Sequence, residues 1–275
     1  MSATSTATST VTPAAETRPD RTGIMHVLRD TWIICLRQLR PSLRNPIAMF
    51  VFGMLQPVLY LVLFGPLLTA IPGAVGDDPW GWFVPGILAM LGLFGTAFAG
   101  FGLLPELRNG SHERLLATPT SRVALLLGRV MRDVVVLLIQ AVVLLVGVTA
   151  FGFRASVLGV LVGLLLLAVL GVGLGTFSYL LAMVLKVEHM FAALLQTVIM
   201  PLILTSGLLL PMDQGPRWLY IVSRFNPVTH VVEAERALFA GHFTDPSIAI
   251  GSLVAVVVAV LALALGVGSM RRINA

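Results

Sequence analysis

The stretch "VVVLLIQAVVLLVGVTAFGFRASVLGVLVGLLLLAVLGVGLGTFSYLLAMVL", Val134 to Leu185, contains a single charged residue, Arg154. Each half of it approaches or exceeds the about 20 apolar residues that carry a helix across a bilayer. Inside lipid such a run satisfies its own backbone hydrogen bonds only as a helix. The intervening "GFRAS", Gly152 to Ser156, leaves room for little more than a tight connection, so the two halves are predicted to form an antiparallel hairpin.

The same composition continues outward from this hairpin. The chain is 57% hydrophobic and 11% charged, with a mean hydropathy of +0.95, whereas soluble domains run near roughly 45–50% apolar. Six uncharged apolar runs stand out: Ile47 to Ala70, Phe83 to Leu104, Val134 to Phe153, Ala155 to Leu185, Met190 to Leu210 and Ile248 to Met270. The third is expected to begin earlier, near Val123, with Arg129, Arg132 and Asp133 in its first turns at the membrane surface. The predicted fold class is an all-α integral membrane protein with six transmembrane helices.

No segment between these runs is long enough for a separate soluble domain. Residues 23–275 are read as one membrane domain, and residues 1–22 as a disordered cytoplasmic tail rich in Ser, Thr and Ala. The tail has no apolar core of the kind a signal peptide needs, so insertion is expected to rely on the spans.

The net charge of +5 and pI near 10.3 would suggest nucleic-acid binding in a soluble protein. Here the arginines cluster at segment ends, and topology explains them better. One side of the predicted bundle receives fourteen of the 18 basic residues, among them Arg29, Arg37, Arg40, Arg44, Arg108, Arg114, Arg122, Arg129, Arg132, Lys186, Arg271 and Arg272. The other receives Arg154, Arg217, Arg224 and Arg236. By the positive-inside rule both termini and the segment around Arg108 are cytoplasmic.

Two irregular segments flank the spans. "IMHVLRDTWIICLRQLR", Ile24 to Arg40, repeats apolar residues at i, i+3 and i+4, which predicts an amphipathic helix on the inner leaflet. It is expected to end near Pro41 and to turn at Arg44 to Pro46 into the first span. Between the fifth and sixth spans, Arg217 to Arg224 and Pro227 to Ala240 are half-apolar and too short to span; they suit helices that dip into the outer leaflet or cap the bundle.

Catalytic signatures fail. The lone lysine, Lys186, follows no glycine-rich phosphate cradle of the form GxxxxGK, so this chain holds no ATP through a P-loop, and no cofactor or metal is expected in it. His26, His112, His189, His230 and His242 are scattered, without HExxH. Ser206 in "LTSGLL" does not fit GxSxG, and Cys35, a lone cysteine, reads as a small core residue. The span interiors carry no charges, which argues against a proton-driven antiporter. Gln56, Tyr60, Gln140, Gln196 and Thr197 are the polar residues left inside; interhelical hydrogen bonding accounts for them, and Gln56, Tyr60, Gln196 and Thr197 are the candidates for a translocation path.

That leaves "PELRNGSHERLLATPTSR", Pro105 to Arg122, a charged island between the second and third spans. From it "ELRNGSHERLLATPTSRVALLLGRV" (Glu106 to Val130), together with "RNPIAMFVFGMLQPVLYLVLFG" (Arg44 to Gly65), "FVPGILAM" (Phe83 to Met90), "MPLILTSGLLLP" (Met200 to Pro211) and "RWLYIVSRFNPVTHVVEAERALFAG" (Arg217 to Gly241), resembles the membrane subunit of type-2 ABC exporters, specifically the daunorubicin/doxorubicin-resistance-like permeases. The pieces occur in that family's order and are spread over nearly all of the chain after the tail.

The resemblance implies a six-helix permease that pairs with a second permease subunit, identical or sister, and with two copies of a separate ATPase that binds ATP and Mg. It implies an interfacial helix before the first span, two re-entrant helices before the last, and an ATPase-coupling element carried by position onto Glu106, Arg108, Gly110, Glu113 and Arg114. Trp218, Glu233 and Arg236 would belong to an outer cap, and the i, i+3 spacing of Glu233 and Arg236 allows an ion pair. The function so implied is ATP-driven export of a hydrophobic or amphipathic compound, such as a drug, antibiotic or lipid-like product, across a bacterial inner membrane. A polysaccharide or cell-wall polymer exporter is the alternative within the class, and a non-transporting sensor or immunity protein the alternative outside it.

Overall fold

The computed structural model describes residues 24–70, 78–110, 121–209 and 211–272. Among these every regular element is helical. In chain order they are α1 (Ile24–Arg44), α2 (Pro46–Ala70), α3 (Pro79–Ala97), α4 (Leu104–Arg108), α5 (Arg122–Thr149), α6 (Val157–Leu185), α7 (Glu188–Thr205), α8 (Arg217–Phe225), α9 (Pro227–Phe239) and α10 (Pro246–Arg272). Among the described residues five stretches are long and apolar enough to cross a membrane: Pro79–Arg108, Arg122–Thr149, Val157–Leu185, Glu188–Thr205 and Pro246–Ser269. Within α2 the apolar stretch so described is the shorter Gly53–Leu68.

The predicted hairpin is α5 and α6. It turns at Gly152, whose φ of +92° is open to glycine without strain. Ser156 then caps α6 by accepting from the Gly159 amide, and its own amide donates to Phe239 O at 3.1 Å. α5 begins at Arg122, within a residue of the start read from the sequence.

α3 is the pillar of the bundle. Every residue from Phe83 to Leu93 is buried, because α2, α5, α6 and α9 all pack on it. α6 carries the other half of the core, between α5, α9 and α10. Its glycines allow the close approach. A methyl on Gly159 would overlap the Leu238 carbonyl, and one on Gly173 would stand 3.1 Å from the Ala259 backbone. In lipid, where apolar burial gains little over contact with acyl chains, such small-residue interfaces are what bring helices together.

Three boundaries differ from those expected. The second apolar run is not one helix to Leu104. α3 stops at Ala97, a 3₁₀ turn follows over Ala99–Gly102, and α4 resumes from Leu104. Ser178 of α6 fills the break, donating to Ala97 O at 2.5 Å and accepting from the Gly100 amide at 2.9 Å. α1 runs through Pro41 to Arg44. Arg37 and Pro41 are both exposed, so the carbonyl that Pro41 fails to pair stays accessible to solvent. α7 ends at Thr205, where the chain turns so that the Leu208 carbonyl lies against Gly86.

α1 does not simply present one apolar face. Thr31 and Cys35 are buried against α5, and Ile34 packs over Gly128. Leu28, Trp32, Leu36 and Leu43 remain exposed along a second stripe.

Candidate coupling and cap sites

The arginine-rich end is built from the first turns of α5. Arg129, Arg132 and Asp133 stand three and four residues apart, so they share one side of the helix, and α1, α4 and α6 close over it. An unpaired charge in such a place costs several kcal/mol, and each is matched. Buried Arg129 donates through Nη2 to Glu106 Oε2 of α4 at 2.5 Å. Buried Asp133 accepts from the Tyr179 hydroxyl of α6 at 2.5 Å and has Arg132 Nε 3.0 Å from its other oxygen. Arg132 also reaches Ser42 Oγ of α1, at 3.4 Å.

α4 is tied a second time. Arg108 Nη1 lies 3.1 Å from Glu188 Oε1, at the first residue of α7, with both side chains about half exposed (51% and 44%). Such an exposed pair contributes at most about 1 kcal/mol, yet it fixes where α4 points. α4 is therefore bonded to α5 through Glu106 and to α7 through Arg108, and it follows directly on α3.

Of the residues assigned to coupling, Glu106 and Arg108 thus sit together on α4. Gly110 has φ +65°, and a methyl added there would meet no atom within 4 Å, so the glycine is required by backbone conformation rather than by crowding. Glu113 and Arg114 lie outside the described residues.

At the opposite end, α8 and α9 form the two short helices expected there. They meet at Asn226, which caps α9 by accepting from the Val228 amide at 2.9 Å and donates through Nδ2 to Leu202 O (2.7 Å) and Thr205 Oγ1 (3.0 Å). The α8–α9 corner is thereby fastened to the end of α7. Glu233 takes two hydrogen bonds from Arg224 Nη1, at 2.9 and 2.7 Å, a partner nine residues back. That carboxylate raises the pKa of Arg224 above its ordinary value. Arg236 lies over the Trp82 ring, 4.0 Å from its centroid, and donates to Trp82 O and Gly207 O. This joins α9 to α3 and to the turn after α7. Trp218 of α8 is exposed.

The four polar residues named for a path are not gathered inside the chain. Gln56, Gln196 and Thr197 lie on exposed faces of α2 and α7; Thr197 donates to Ala193 O of its own helix. Tyr60 is half-buried and stacked on Phe64, 5.6 Å between centroids. Gln140 is buried in α5.

Sequence reasoning missed Tyr179, Ser178, Glu188, Arg224 and Trp82 as structural partners. Only Asn226 left a local signal, an Asn-Pro pair that opens helices. Tyr179, Ser178, Glu188 and Trp82 are paired across long separations, and Arg224 across the α8–α9 corner, which no spacing rule reports.

Comparison with known proteins places residues 29–240 on the family model described as ABC-2 type transporter. The chain is 29% identical over 218 residues to a putative transport permease ycf38 of Cyanophora paradoxa, covering 78% of this chain and 75% of the relative. It is 23% identical over 189 residues to the daunorubicin resistance ABC transporter permease protein DrrB1 of Streptomyces coeruleorubidus, covering 68% and 67%. A ycf38 permease of Porphyra purpurea matches at 26% over 215 residues, covering 75% and 74%.

Proposed function

This chain belongs to the ABC-2 type transporter family, and from that premise we propose that it is the permease subunit of an ATP-driven exporter for hydrophobic or amphipathic compounds. The observation that carries the reading is the lacing of α4. A chain without a phosphate cradle must receive force from a partner. Here α4 extends from the buried pillar α3, grips α5 through a buried guanidinium and touches α7 through Arg108. A push on this end moves three spans together.

In this reading α2, α3 with α4, α5, α6, α7 and α10 are six spans. The 25 residues of α2 give about 37 Å of helix at 1.5 Å per residue, enough to cross. Both termini and α4 are cytoplasmic by the distribution of arginine, and α1 lies along the inner leaflet with Leu28, Trp32 and Leu36 toward lipid. α8 and α9 form the outer cap, and the membrane is a bacterial inner membrane. Two ATPase subunits dock at the segment that includes Glu113 and Arg114. The exposed Gln56 and Gln196 support a second permease subunit against α2 and α7, since amide groups facing acyl chains are costly.

The amphipathic cargo is favoured by spans whose middles carry no charge; the drug named for the Streptomyces relative is one compound of this class. The test is to search the genes beside this chain for a P-loop ATPase, to purify the two together and to screen compounds for stimulated ATP hydrolysis. Amphipathic compounds should stimulate it. Lack of any such ATPase, or stimulation by soluble sugars alone, would reject the assignment.

A further inference from the structure

α2 packs along α3 but only sparsely on α5, and a cavity of about 610 Å³ opens among the three. That lies within the roughly 300–1,000 Å³ of sites for drug-sized ligands. Its apolar wall is made by Phe94 and Phe98, nearly parallel with centroids 5.8 Å apart, and by Val136; Asn45 and Asp133 add polar groups to the lining. Its deep end is at Gln140, and its other end at Arg132 and Ser42. Arg132 and Gln140 are eight residues apart on one helix, so about 12 Å separates the two ends.

The shallow end is continuous with a second, smaller cleft of about 370 Å³ between α1, α4 and α5. The two share Pro41, Ser42 and Arg132. Arg132 therefore stands where a cleft at the arginine-rich surface becomes a cavity inside the apolar bundle.

The charge balance at that junction is positive. Among the described residues Arg37, Arg129 and Arg132 stand here against the carboxylates Glu106 and Asp133; Glu106 is paired with Arg129 and Asp133, which also lines the cavity, with Arg132, so one guanidinium is in excess. Arg37 also lines the cleft and has no ion pair among the described residues. A ligand matched to this shape has one small anionic head and an apolar body of about 12 Å; a soluble polyanion would gain nothing from the phenylalanines, and a cation would meet a mouth whose charges sum to positive.

We propose that this cavity receives an amphipathic anion from the inner leaflet, its phosphate or carboxylate head at Arg132 and Ser42 and its apolar body against Phe94, Phe98 and Val136. The proposal deepens the exporter reading and rests on it for the assignment of this end to the cytoplasmic leaflet. Two glycines keep the space open. A methyl on Gly102 would meet nothing within 4 Å, and one on Gly95 would meet Leu137 and Gln140 only at 3.8 and 3.9 Å. Of the two, Gly102 leaves room for a larger side chain at the cavity wall, since a methyl there meets no atom.

The test is equilibrium binding to the full-length permease purified in a neutral maltoside detergent, which needs neither the ATPase nor transport. The probes are fluorescent short-chain phosphatidic acid, the matching diacylglycerol, and inorganic phosphate as competitor. Phosphatidic acid should bind at least about tenfold more tightly than the diacylglycerol, the worth of a charge-assisted hydrogen bond, and millimolar phosphate should not displace it. Arg132→Gln should erase the preference for the anion. Gly102→Leu, which leaves every charge in place, should weaken both lipid probes by about tenfold or more.

Equal binding of the two lipids, full displacement by inorganic phosphate, or unchanged binding in Gly102→Leu would each overturn the proposal. If Arg132→Gln is lost to misfolding, the glycine variant still decides. Failure of binding in a permease that still exports another compound with ATP would remove this cavity alone. Intact binding in a chain that never couples to an ATPase would remove the exporter reading instead.

Discussion

At the scale of the residue, the buried charges carry the clearest predictions. Arg129 is 4% exposed and its guanidinium is held by Glu106, so Glu106→Gln leaves a buried cation without its anion. The expected loss is about 1–3 kcal/mol, read as a lower melting temperature in detergent; an unchanged melt would show that the pair is not formed. Glu235 of α9 presents the opposite case. Its side chain is fully buried and neither oxygen has a partner among the described residues. Burial pushes its carboxyl well above the usual carboxylate range, opposed by neighbouring Arg236. The folded state then keeps a proton that the unfolded chain releases above about pH 4.3. Stability should therefore fall as pH rises from that value toward the folded pKa, and Glu235→Gln should flatten the slope and melt higher at neutral pH. A steeper slope in the variant would contradict the assignment. The island of charge around Glu106 was legible in the sequence as an island. Its partners were not, because Arg129 reads equally well as a topology signal and Tyr179 as one more apolar-run residue.

At the scale of the element, hydrophobic run length located α5, α6 and α10 to within a few residues, since lipid leaves a long apolar segment no alternative to a helix. It failed where one side chain substitutes for a helix hydrogen bond. Ser178 supports the break after Ala97, and nothing near residue 98 in sequence announces a serine eighty positions later. Nothing in the sequence assigns a packing partner to the glycines of α6. The α6–α9 contact gives them one: Gly159→Leu would drive a side chain into the Leu238 carbonyl. We expect this variant to lose most of its folded yield in detergent, as overpacking at a backbone contact requires, whereas Gly147→Leu, with nothing within 4 Å, should be tolerated. Equal yields from the two would mean that α6 and α9 do not pack as described.

At the scale of the whole molecule, the fold joins an arginine-rich end to a capped end through α3 and α7. α4 leaves α3 and contacts α7, while Arg236 and Asn226 fasten the cap to α3 and α7 at the far side. The orientation is open to cysteine labelling. The native Cys35 is 1% exposed and burial pushes its thiol up, so it should stay silent to maleimide in the folded protein. Cysteine at position 112 should react only from the cytoplasm and cysteine at 214 only from outside; the reverse pattern would invert the topology.

The central claim is that this permease takes its energy through the segment joining α4 to α5. Its most direct measurement is ATP hydrolysis and transport by the permease reconstituted with its ATPase, comparing wild type with Glu113→Lys and Arg114→Glu. Normal membrane insertion, weakened co-purification of the ATPase and at least about a tenfold loss of transport are expected, the equivalent of roughly 1.4 kcal/mol of coupling. Wild-type co-purification and wild-type transport in both variants would contradict it.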